Sequence, residues 1–509
     1  MPVNIANELI NATACEIKDR LVRKDIKPTD LLDALEDRIQ AVDGPVNALP
    51  TLCFERARDF ARKLENKPIE ERGLLAGIPV PVKDLTAVKG VRTTSGSPIF
   101  ADRIPDRSDA LVETMETNGA IIYAKSNTPE FGAGAHTFNP VLGTTRNPWD
   151  LSKSAAGSSG GAAAALATGC AWLAHGSDMG GSLRNPASFC GVVGLRPSMH
   201  RLSDGPGTSP FQTLSMQGPM ARNVADTALL LDAMVGFKNM NPLAQPSPED
   251  SFLSAANKKI KPLKVAYSPD LGVSPVDPEV AEICKKAALQ FENADVIVEE
   301  KTPNLCDAPE VFKRLRGLDF VVGLGPLLDQ HRDKLKEDII WNIEYGRSLS
   351  AEDIAWAERK RGEIYYTMQE FFTEYDLLIC PTTIVPPFPV EQRYVDECAG
   401  KKLETYIDWL AIVSTITLTA SPAISIPCGL TKTGLPVGLQ LVGKPQGEGP
   451  LLSAANLLEE ILPKIQTPID PKDKSGQLTQ IQHSDTTKVP HFTGPLSWLL
   501  RPTSPFILQ

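Results

Sequence analysis

Apolar residues near the start of the chain recur at steps of three and four, the spacing of one face of an α-helix. This pattern covers residues 7–42 and is interrupted by Pro28-Thr29-Asp30, so it predicts two amphipathic helices with a break and cap between them. A third helix is predicted over residues 54–64. The chain therefore begins with a helical segment, residues 7–64.

Short apolar runs, bounded by glycine, proline and charged residues, follow this segment. Runs of this kind are typical of buried strands. They cover residues 78–82, 120–124, 263–266, 296–298, 377–380, 423–426 and 437–442. Helical patterns lie between most of them, and that alternation predicts an α/β fold in which helices cover a sheet.

Two changes in composition divide the rest of the chain. Residues 238–262 are rich in proline, asparagine and serine, which predicts a connector between a core over 65–237 and a second half over 263–466. The second half holds a helix-rich insert, residues 310–375, whose aromatic residues either pack between helices or cover a site. Periodicity is lost after residue 466, so we predict a single domain, 1–466, and a loosely ordered tail, 467–509.

Charge and cysteine content narrow the classes of function. The chain of 509 residues has 52 basic and 62 acidic side chains, a formal charge of −10, which argues against nucleic-acid or anionic-membrane binding. Nine cysteines without a C-x-x-C pair predict free thiols in a reducing compartment. No signal-peptide pattern and no apolar run of about 18 residues is present, so we predict a cytoplasmic protein without a membrane span.

Residues 152–197 contain two clusters of glycine and serine around an alanine-rich stretch that is predicted to be helical. The first cluster is 157–161, with Ser158, and the second includes Ser182. A serine hydroxyl attacks a carbonyl only when a base takes its proton, and the resulting oxyanion needs donors already in place. Glycines beside Ser182 expose its hydroxyl and the neighbouring N–H groups. The backbone of Met179, Gly180, Gly181 and Ser182 is therefore a candidate oxyanion hole.

The base for such a serine has two candidates. Lys83 ends an apolar run stiffened by two prolines, and burial there would lower its pKa from about 10.4 towards neutrality. A structural alternative for Lys83 is an ion pair with Asp84 or another acid. His175 is the histidine closest in sequence to the serines, but no serine stands in a G-x-S-x-G context and a structural role is favoured for it. The residues alone leave the base open.

Eight motifs in this sequence resemble those of the amidase signature family. They are GIPVPVKD at 77–84, AKSNTPEFG at 124–132, GTTRNPWD at 143–150, GSSGG at 157–161, DMGGSLRNPASFCGVVGLRPS at 178–198, DLLICPTT at 376–383, SPAISIPCG at 421–429 and GLPVGLQLVG at 434–443. They follow the family's order over residues 7–462. The resemblance implies the amidase signature fold, an α/β fold with a mixed sheet of about eleven strands sandwiched by many helices.

The resemblance also implies a catalytic triad of Ser182, Ser158 and Lys83, with a cis peptide bond between Gly157 and Ser158. Neutral Lys83 would draw a proton from Ser158, which would draw one from Ser182 as it attacks the carbonyl. Ser158 would return that proton to the leaving amine, and water would hydrolyse the acyl-enzyme on Ser182. No cofactor and no metal is expected.

Further roles carry over from the family in the same way. Gly132, Ala133 and Ser158 would line the substrate side of the site. Asp178 and Arg184 would organise the catalytic residues without reacting. The expected substrate is a small amide, anilide or carbamate, with ester cleavage left open, as in aryl acylamidases, urethanases and nylon-oligomer hydrolases. Whether the chain forms a homodimer also stays open.

Two other functions compete with this one. The glutaminase-type subunit of a tRNA-dependent amidotransferase shares the fold, but its M-D-E-F-A-M-G stretch is replaced here by TPEFGAG at 128–134. A more distant alternative is a nucleotide-binding protein that holds phosphate on its glycine-rich loop. GSSGG lacks the Lys-Ser/Thr ending of a P-loop and the spacing of G-x-G-x-x-G. An amidohydrolase that works alone is therefore the favoured prediction.

Overall fold

A mixed sheet of eight strands runs through the fold, in the computed structural model that describes residues 3–202, 209–236 and 241–473. The strands in these ranges are β1 (Thr51–Leu52), β2 (Pro79–Lys83), β3 (Ile121–Ser126), β4 (Phe138–Asn139), β5 (Gly143–Thr144), β6 (Arg146–Asn147), β7 (Asp150–Ser154), β8 (Leu173–Asp178), β9 (Val193–Arg196), β10 (Met216–Ala221), β11 (Lys264–Tyr267), β12 (Ile297–Glu300), β13 (Leu377–Pro381), β14 (Glu397–Cys398), β15 (Lys401–Lys402), β16 (Ala423–Leu430) and β17 (Pro436–Val442). The order in the central sheet is β12–β11–β13–β17–β16–β9–β10–β8. β11 is parallel to β12 and β13, and every other neighbouring pair is antiparallel.

Helices pack around the sheet. Those in the described ranges are α1 (Val3–Asn11), α2 (Ala14–Arg23), α3 (Pro28–Val46), α4 (Phe54–Glu65), α5 (Ala110–Thr117), α6 (Gly160–Ala167), α7 (Arg184–Cys190), α8 (Val224–Met234), α9 (Phe252–Lys258), α10 (Pro278–Ala288), α11 (Ala308–His331), α12 (Glu337–Ser348), α13 (Ala351–Glu374), α14 (Ala411–Thr417) and α15 (Glu448–Ile461). The α/β class predicted from the sequence is therefore confirmed.

A second sheet of three strands, in the order β1–β3–β2, adjoins the central one. Eight and three strands together match the eleven that the resemblance implies, but they are divided between two sheets. β2 lies beside β8, the edge strand of the central sheet, and Lys83 N donates to His175 Nδ1 there at 3.3 Å. The end of β2 is thus fixed against the central sheet at Lys83.

The N-terminal segment differs in one respect from the prediction, because three helices and not two cover residues 3–46. Thr13 ends the first helical stretch and begins α2. Its side chain accepts from Glu16 N at 3.1 Å, and Glu16 Oε2 accepts from Thr13 N at 2.8 Å. This capping box starts a new helix inside an unbroken apolar pattern. The helix predicted over 54–64 is α4.

The remaining predicted elements form with few changes. All seven apolar runs are strands, namely β2, β3, β11, β12, β13, β16 and β17. Helices α11, α12 and α13 occupy the predicted insert. The predicted connector, 238–262, contains a helix, α9, whose N-cap Ser251 accepts from Ser254 N at 3.2 Å. Residues 238–240 of the connector lie outside the described ranges.

The chain divides into one unit over Met1–Leu478 and a second over Thr479–Gln509. The described start of the predicted tail, residues 467–473, is bonded to the rest of the first unit. Ile469 N donates to Ala167 O at 2.8 Å, and Asp470 pairs with Arg38 at 2.7 Å. The predicted loose tail therefore does not begin at 467. Residues 474–509 lie outside the described ranges, and their order stays a prediction.

Candidate active site

Lys83, the last residue of β2, is fully buried and points its amine at three serines. Its Nζ lies 2.7 Å from Ser158 Oγ, 2.9 Å from Ser159 Oγ and 3.1 Å from Ser177 Oγ. Ser158 and Ser159 precede α6, and Ser177 lies on β8. The structure thus brings the predicted base into contact with the predicted relay serine.

Burial lowers the pKa of Lys83 to about 7, against the opposing charge of Asp178. Lys83 does not form the ion pair with Asp84 that would have given it a structural role instead. Asp84 Oδ2 accepts from Thr94 N at 3.0 Å, and the cation nearest to Asp84 is Lys125, at 3.9 Å. An amine whose pKa burial brings close to neutrality, and which is hydrogen-bonded to hydroxyls, has the properties of a general base.

The loop before α6 holds Ser158 against its neighbours, because glycines allow a close backbone approach. A Cβ on Gly160 would lie 2.3 Å from Thr137 Oγ1, and one on Gly161 would lie 2.3 Å from Asn127 N. The peptide bond between Gly157 and Ser158 is cis, as the resemblance implies. All residues of α6 are buried, so the predicted alanine-rich helix lies inside the core.

The second serine loop connects β8 to α7. Ser182 O accepts from Ser159 N at 3.1 Å, which ties this loop to the first one. Gly181 has φ +96°, and a Cβ there would lie 2.5 Å from Val413 Cγ2, so only glycine fits. The N–H of Gly181 donates to Asp178 Oδ1 at 2.9 Å and is not free for an oxyanion. Within the described ranges, no acceptor takes the N–H groups of the other three predicted donors, residues 179, 180 and 182.

Asp178 holds the second serine loop in place by accepting hydrogen bonds from its backbone. Its carboxylate is fully buried and receives Arg184 Nε at 3.0 Å and Nη2 at 2.8 Å, with Arg196 Nη1 at 3.5 Å. Burial alone would raise the pKa of Asp178, but the charge and hydrogen bonds of Arg184 and the charge of Arg196 hold it well below its usual range. Asp178 also accepts from Leu183 N at 3.1 Å. These contacts hold the loop to Arg184, and the organising role of Asp178 and Arg184 stays a prediction.

Removing the negative charge of Asp178 should destabilise the protein strongly. We expect Asp178→Asn to lower the free energy of unfolding by about 3–5 kcal/mol, because two arginines would stay buried without their counterion. Urea denaturation followed by circular dichroism measures this loss. The matched control is Asp59→Asn, which breaks an exposed pair with Arg62 and should cost less than about 1 kcal/mol. Equal losses in the two variants would show that other groups support the arginines.

A cavity of about 70 Å³ lies over the two serine loops. It is lined by the predicted site residues Gly132, Ser158, Met179, Gly180 and Ser182, and by Leu85, Phe131, Gly134, Ser177, Ser215, Arg316, Phe320 and Leu410. Ser182 is partly exposed and Ser158 is 2% exposed. A Cβ on Gly132 would lie 3.4 Å from Ser158 Oγ. Ser158 and Ser182 thus face the same small space.

Ala133 is not part of that lining, and its assignment to the substrate side of the site stays a prediction. Its side chain is buried in an apolar cluster with Phe320 and Ile339, and its carbonyl accepts from Lys336 Nζ. The φ of +69° at Gly132 turns the chain, so that successive residues face different surroundings. Gly134, one residue further on, lines the cavity again.

His175 has a structural role, as predicted. It is fully buried on β8, where Nδ1 accepts from Lys83 N at 3.3 Å and Nε2 lies 2.9 Å from Gln217 Oε1. Burial lowers the pKa of His175 to about 3. The ring is therefore neutral, contacts the backbone and not the amine of Lys83, and holds β2 against β8.

Comparison with known proteins places this arrangement in a family. The sequence profile of the family named Amidase matches residues 30–452. The chain belongs to the amidase family. An acylamidase of Rhodococcus erythropolis is 34% identical over 89% of this amidase and 95% of its own length. A glutamyl-tRNA(Gln) amidotransferase component of Moorella thermoacetica is 35% identical over 89% of this amidase and 97% of its own length.

Solved structures agree with this assignment. A bacterial aryl acylamidase of the amidase signature family superposes on the amidase with a TM-score of 0.82 at 26% identity, over 89% of this chain and 96% of that one. A 6-aminohexanoate cyclic dimer hydrolase superposes with a TM-score of 0.81 at 26% identity, over 90% of this chain and 99% of that one. The amidase signature fold predicted from the motifs is confirmed, and the protein is an amidohydrolase of non-peptide C–N bonds.

Metal-ligand clusters and membrane-spanning helices are both missing from the described part of the amidase. Among residues 3–202, 209–236 and 241–473, no group of three or more His, Cys, Asp or Glu side chains is placed to hold a metal ion. In the same ranges, no helix is both long and apolar enough to cross a membrane.

Proposed function

We propose that this amidase cleaves small amides through an acyl-enzyme on Ser182, with Ser158 and Lys83 as the proton relay. The observation that carries the proposal is the 2.7 Å contact of a fully buried lysine amine with Ser158 Oγ, at a cavity that Ser158 shares with Ser182. Since burial keeps part of the Lys83 population neutral near pH 7, the amine accepts a proton from Ser158.

The reaction then has two halves. As Ser158 Oγ gives its proton to Lys83, it takes the proton of Ser182, whose oxygen attacks the carbonyl carbon. The tetrahedral intermediate collapses when Ser158 returns a proton to the leaving amine, which departs and leaves an ester on Ser182. Water, deprotonated through the same relay, attacks this ester, and the carboxylic acid is released.

Backbone donors stabilise the charge that develops on the carbonyl oxygen. The N–H groups of Met179, Gly180 and Ser182 have no acceptor among the described residues, so they are the donors we assign to the oxyanion hole. Gly181 N–H instead donates to Asp178 and fixes the shape of the loop. The sequence predicted four donors, and the geometry supports three of them.

The cavity supports substrates with a small acyl or aryl group. Leu85, Phe131, Phe320 and Leu410 supply apolar walls around the serine hydroxyls, in a volume of about 70 Å³. Similar proteins include an acylamidase and an aryl acylamidase. We therefore propose anilides and short acyl amides as substrates, with carbamates as a second class that presents the same carbonyl to Ser182.

A substrate panel tests this proposal. Acetanilide, butyranilide, an aliphatic butyramide, a phenyl carbamate and L-glutamine would be compared by kcat/KM with the purified chain. We expect at least one anilide to exceed glutamine by about 10-fold or more, which corresponds to about 1.4 kcal/mol of transition-state binding. Ammonia release from glutamine without cleavage of anilides or carbamates would instead establish the glutaminase alternative.

We also propose that the enzyme works in the cytoplasm. All nine cysteines are free, and only Cys306 is exposed. Burial raises the pKa of most of the enclosed thiols, for example that of Cys53 to about 11. Thiols kept protonated in a core suit a reducing compartment.

A further inference from the structure

One face of α11 packs on the second serine loop, the loop between β8 and α7. Phe312, Arg316 and Phe320 follow each other at four-residue steps, which places them on the same side of the helix. A Cβ on Gly180 would lie 3.0 Å from Phe312 Cζ, and Arg316 Nη1 lies 3.0 Å from Met179 Sδ. Arg316 and Phe320 line the cavity above Ser182. The helix therefore supplies a cation to an otherwise apolar wall.

Arg316 is 6% exposed, yet all its hydrogen-bond partners in the described residues are neutral. Nε lies 3.2 Å from Asn342 Oδ1, Nη1 bonds to the thioether of Met179, and Nη2 lies 2.8 Å from Tyr406 OH. A guanidinium has five N–H donors, so these contacts leave two donors unused. Sulfur is, in addition, a weak acceptor that an oxygen anion readily replaces.

The surrounding acids do not neutralise this cation. Within the described ranges, no carboxylate lies within the 4.0 Å of an ion pair with Arg316, and Asp319, whose pKa its charge affects, makes no such contact. Two other buried arginines, Arg184 and Arg196, share the carboxylate of Asp178. Buried charges in proteins are ordinarily paired, because an unpaired charge loses its hydration.

We propose that Arg316 binds a carboxylate of the substrate, so that the preferred substrates are amides carrying a carboxylate near the scissile bond. This inference rests on the proposed function of Ser182. A planar guanidinium with two spare N–H groups matches the two oxygens of a carboxylate, and the apolar wall strengthens that pairing. Phe320, on which Arg316 stacks at 4.4 Å, holds the guanidinium plane in place.

A purely structural role makes a different prediction. Arg316 also ties α11 to α12 through Asn342 and to Tyr406. If this were its whole purpose, substitution would lower stability and slow all substrates by the same factor. A carboxylate-binding role instead changes the ratio between charged and neutral substrates, which instability alone does not alter.

Two substrate pairs measure that ratio. On the acyl side, the 4-nitroanilide of succinic acid is compared with that of 4-methylpentanoic acid, in which an isopropyl group replaces the carboxylate. On the amine side, N-butyryl-4-aminobenzoate is compared with N-butyryl-4-isopropylaniline. We expect the charged member of one pair to be favoured by about 10- to 100-fold in kcat/KM, and the favoured pair shows which side of the bond carries the carboxylate.

Three variants complete the test. In Arg316→Met the preference should fall to near unity, and Arg316→Lys should keep a reduced preference, because an ammonium retains charge without the planar pair of donors. Arg314→Met is the matched control on the same helix. Arg314 pairs with Glu310 at 2.8 Å and Asp353 at 3.0 Å and does not line the cavity, so this variant should keep the wild-type preference. Should Arg316→Met fail to fold, the lysine variant carries the comparison.

The outcomes are separable from those of the proposed function. Equal kcat/KM values within both pairs, or a preference that survives in Arg316→Met, would overturn the role of Arg316 while leaving the amidase activity in place. No turnover of any amide would overturn the proposed function instead. Protection of the active serine from a fluorophosphonate by succinate, present in the wild type and lost in Arg316→Met, would support carboxylate binding without requiring any amide to be cleaved.

Discussion

Replacement of Ser182 by alanine is expected to lower kcat by about 10⁴-fold or more and to abolish covalent labelling by a fluorophosphonate. The loss is large because no other hydroxyl takes over attack on the carbonyl, although the oxyanion donors of the loop remain. Ser158, the other predicted serine at the cavity, is 2% exposed and already bonded to Lys83. Mass spectrometry of the labelled protein measures the effect directly.

The control for this prediction is Ser348→Ala. Ser348 is an exposed serine at the end of α12 whose hydroxyl donates to Tyr345 O at 2.7 Å. Labelling and turnover should be unchanged in this variant. A Ser182→Ala protein that still reacts stoichiometrically with the fluorophosphonate would show that a different residue is the nucleophile.

The second large effect concerns Lys83. Only the neutral amine accepts a proton, so the fraction of active enzyme grows as pH rises through the pKa of about 7. We expect kcat/KM to fall below this pH, to rise through it and to level off above it. Lys83→Met should lower kcat by about 10²- to 10⁴-fold and remove this dependence. Initial rates with a neutral anilide between about pH 6 and pH 10 measure both.

Lys125→Met is the matched control, because Lys125 is a second fully buried lysine of the three-stranded sheet. Burial lowers its pKa to about 8, but Nζ bonds to Thr86 O and lies 3.2 Å from Thr93 Oγ1, away from the serines. This variant should lose stability and keep the pH dependence of the wild type. A flat profile for the wild type, or loss of the profile in Lys125→Met, would contradict the assignment of Lys83.

The strands that the sequence predicted share one property, which is a run of apolar residues. β8, β9 and β10 have no such run, because glycine, proline and polar residues interrupt them: LAHGSD, VGLR and MQGPMA. β8 carries His175, Ser177 and Asp178 for the site, and its glycine lets Ser159 pack closely. β2, which carries Lys83, was revealed by its apolar run, whereas β8, which supports the site from the other side, was not.

The residues of the candidate site likewise divide into those that the sequence predicted and those that it did not. Ser158, Ser182 and Lys83 are predicted as site residues because glycine clusters and family motifs surround them, and the structure places Lys83 against Ser158 and both serines at one cavity. The places of Ser177 and Arg316 at the cavity were not predicted, because each depends on contacts between distant parts of the chain. Ala133 was predicted to line the site beside Gly132, but its side chain is buried next to the cavity, since a neighbour of a cavity residue need not face the cavity. Sequence patterns report local preference, whereas these positions depend on packing.

The cavity is lined by separate stretches of the chain. Residues 83–182 supply the lysine and both serines of the site, whereas α11, residues 308–331, supplies Arg316 and Phe320. Laboratory evolution can exploit this separation. Libraries at position 320, whose side chain lines the cavity, would vary the shape offered to a substrate without altering any hydrogen bond of Lys83, so new specificities are accessible with the proposed proton relay left whole.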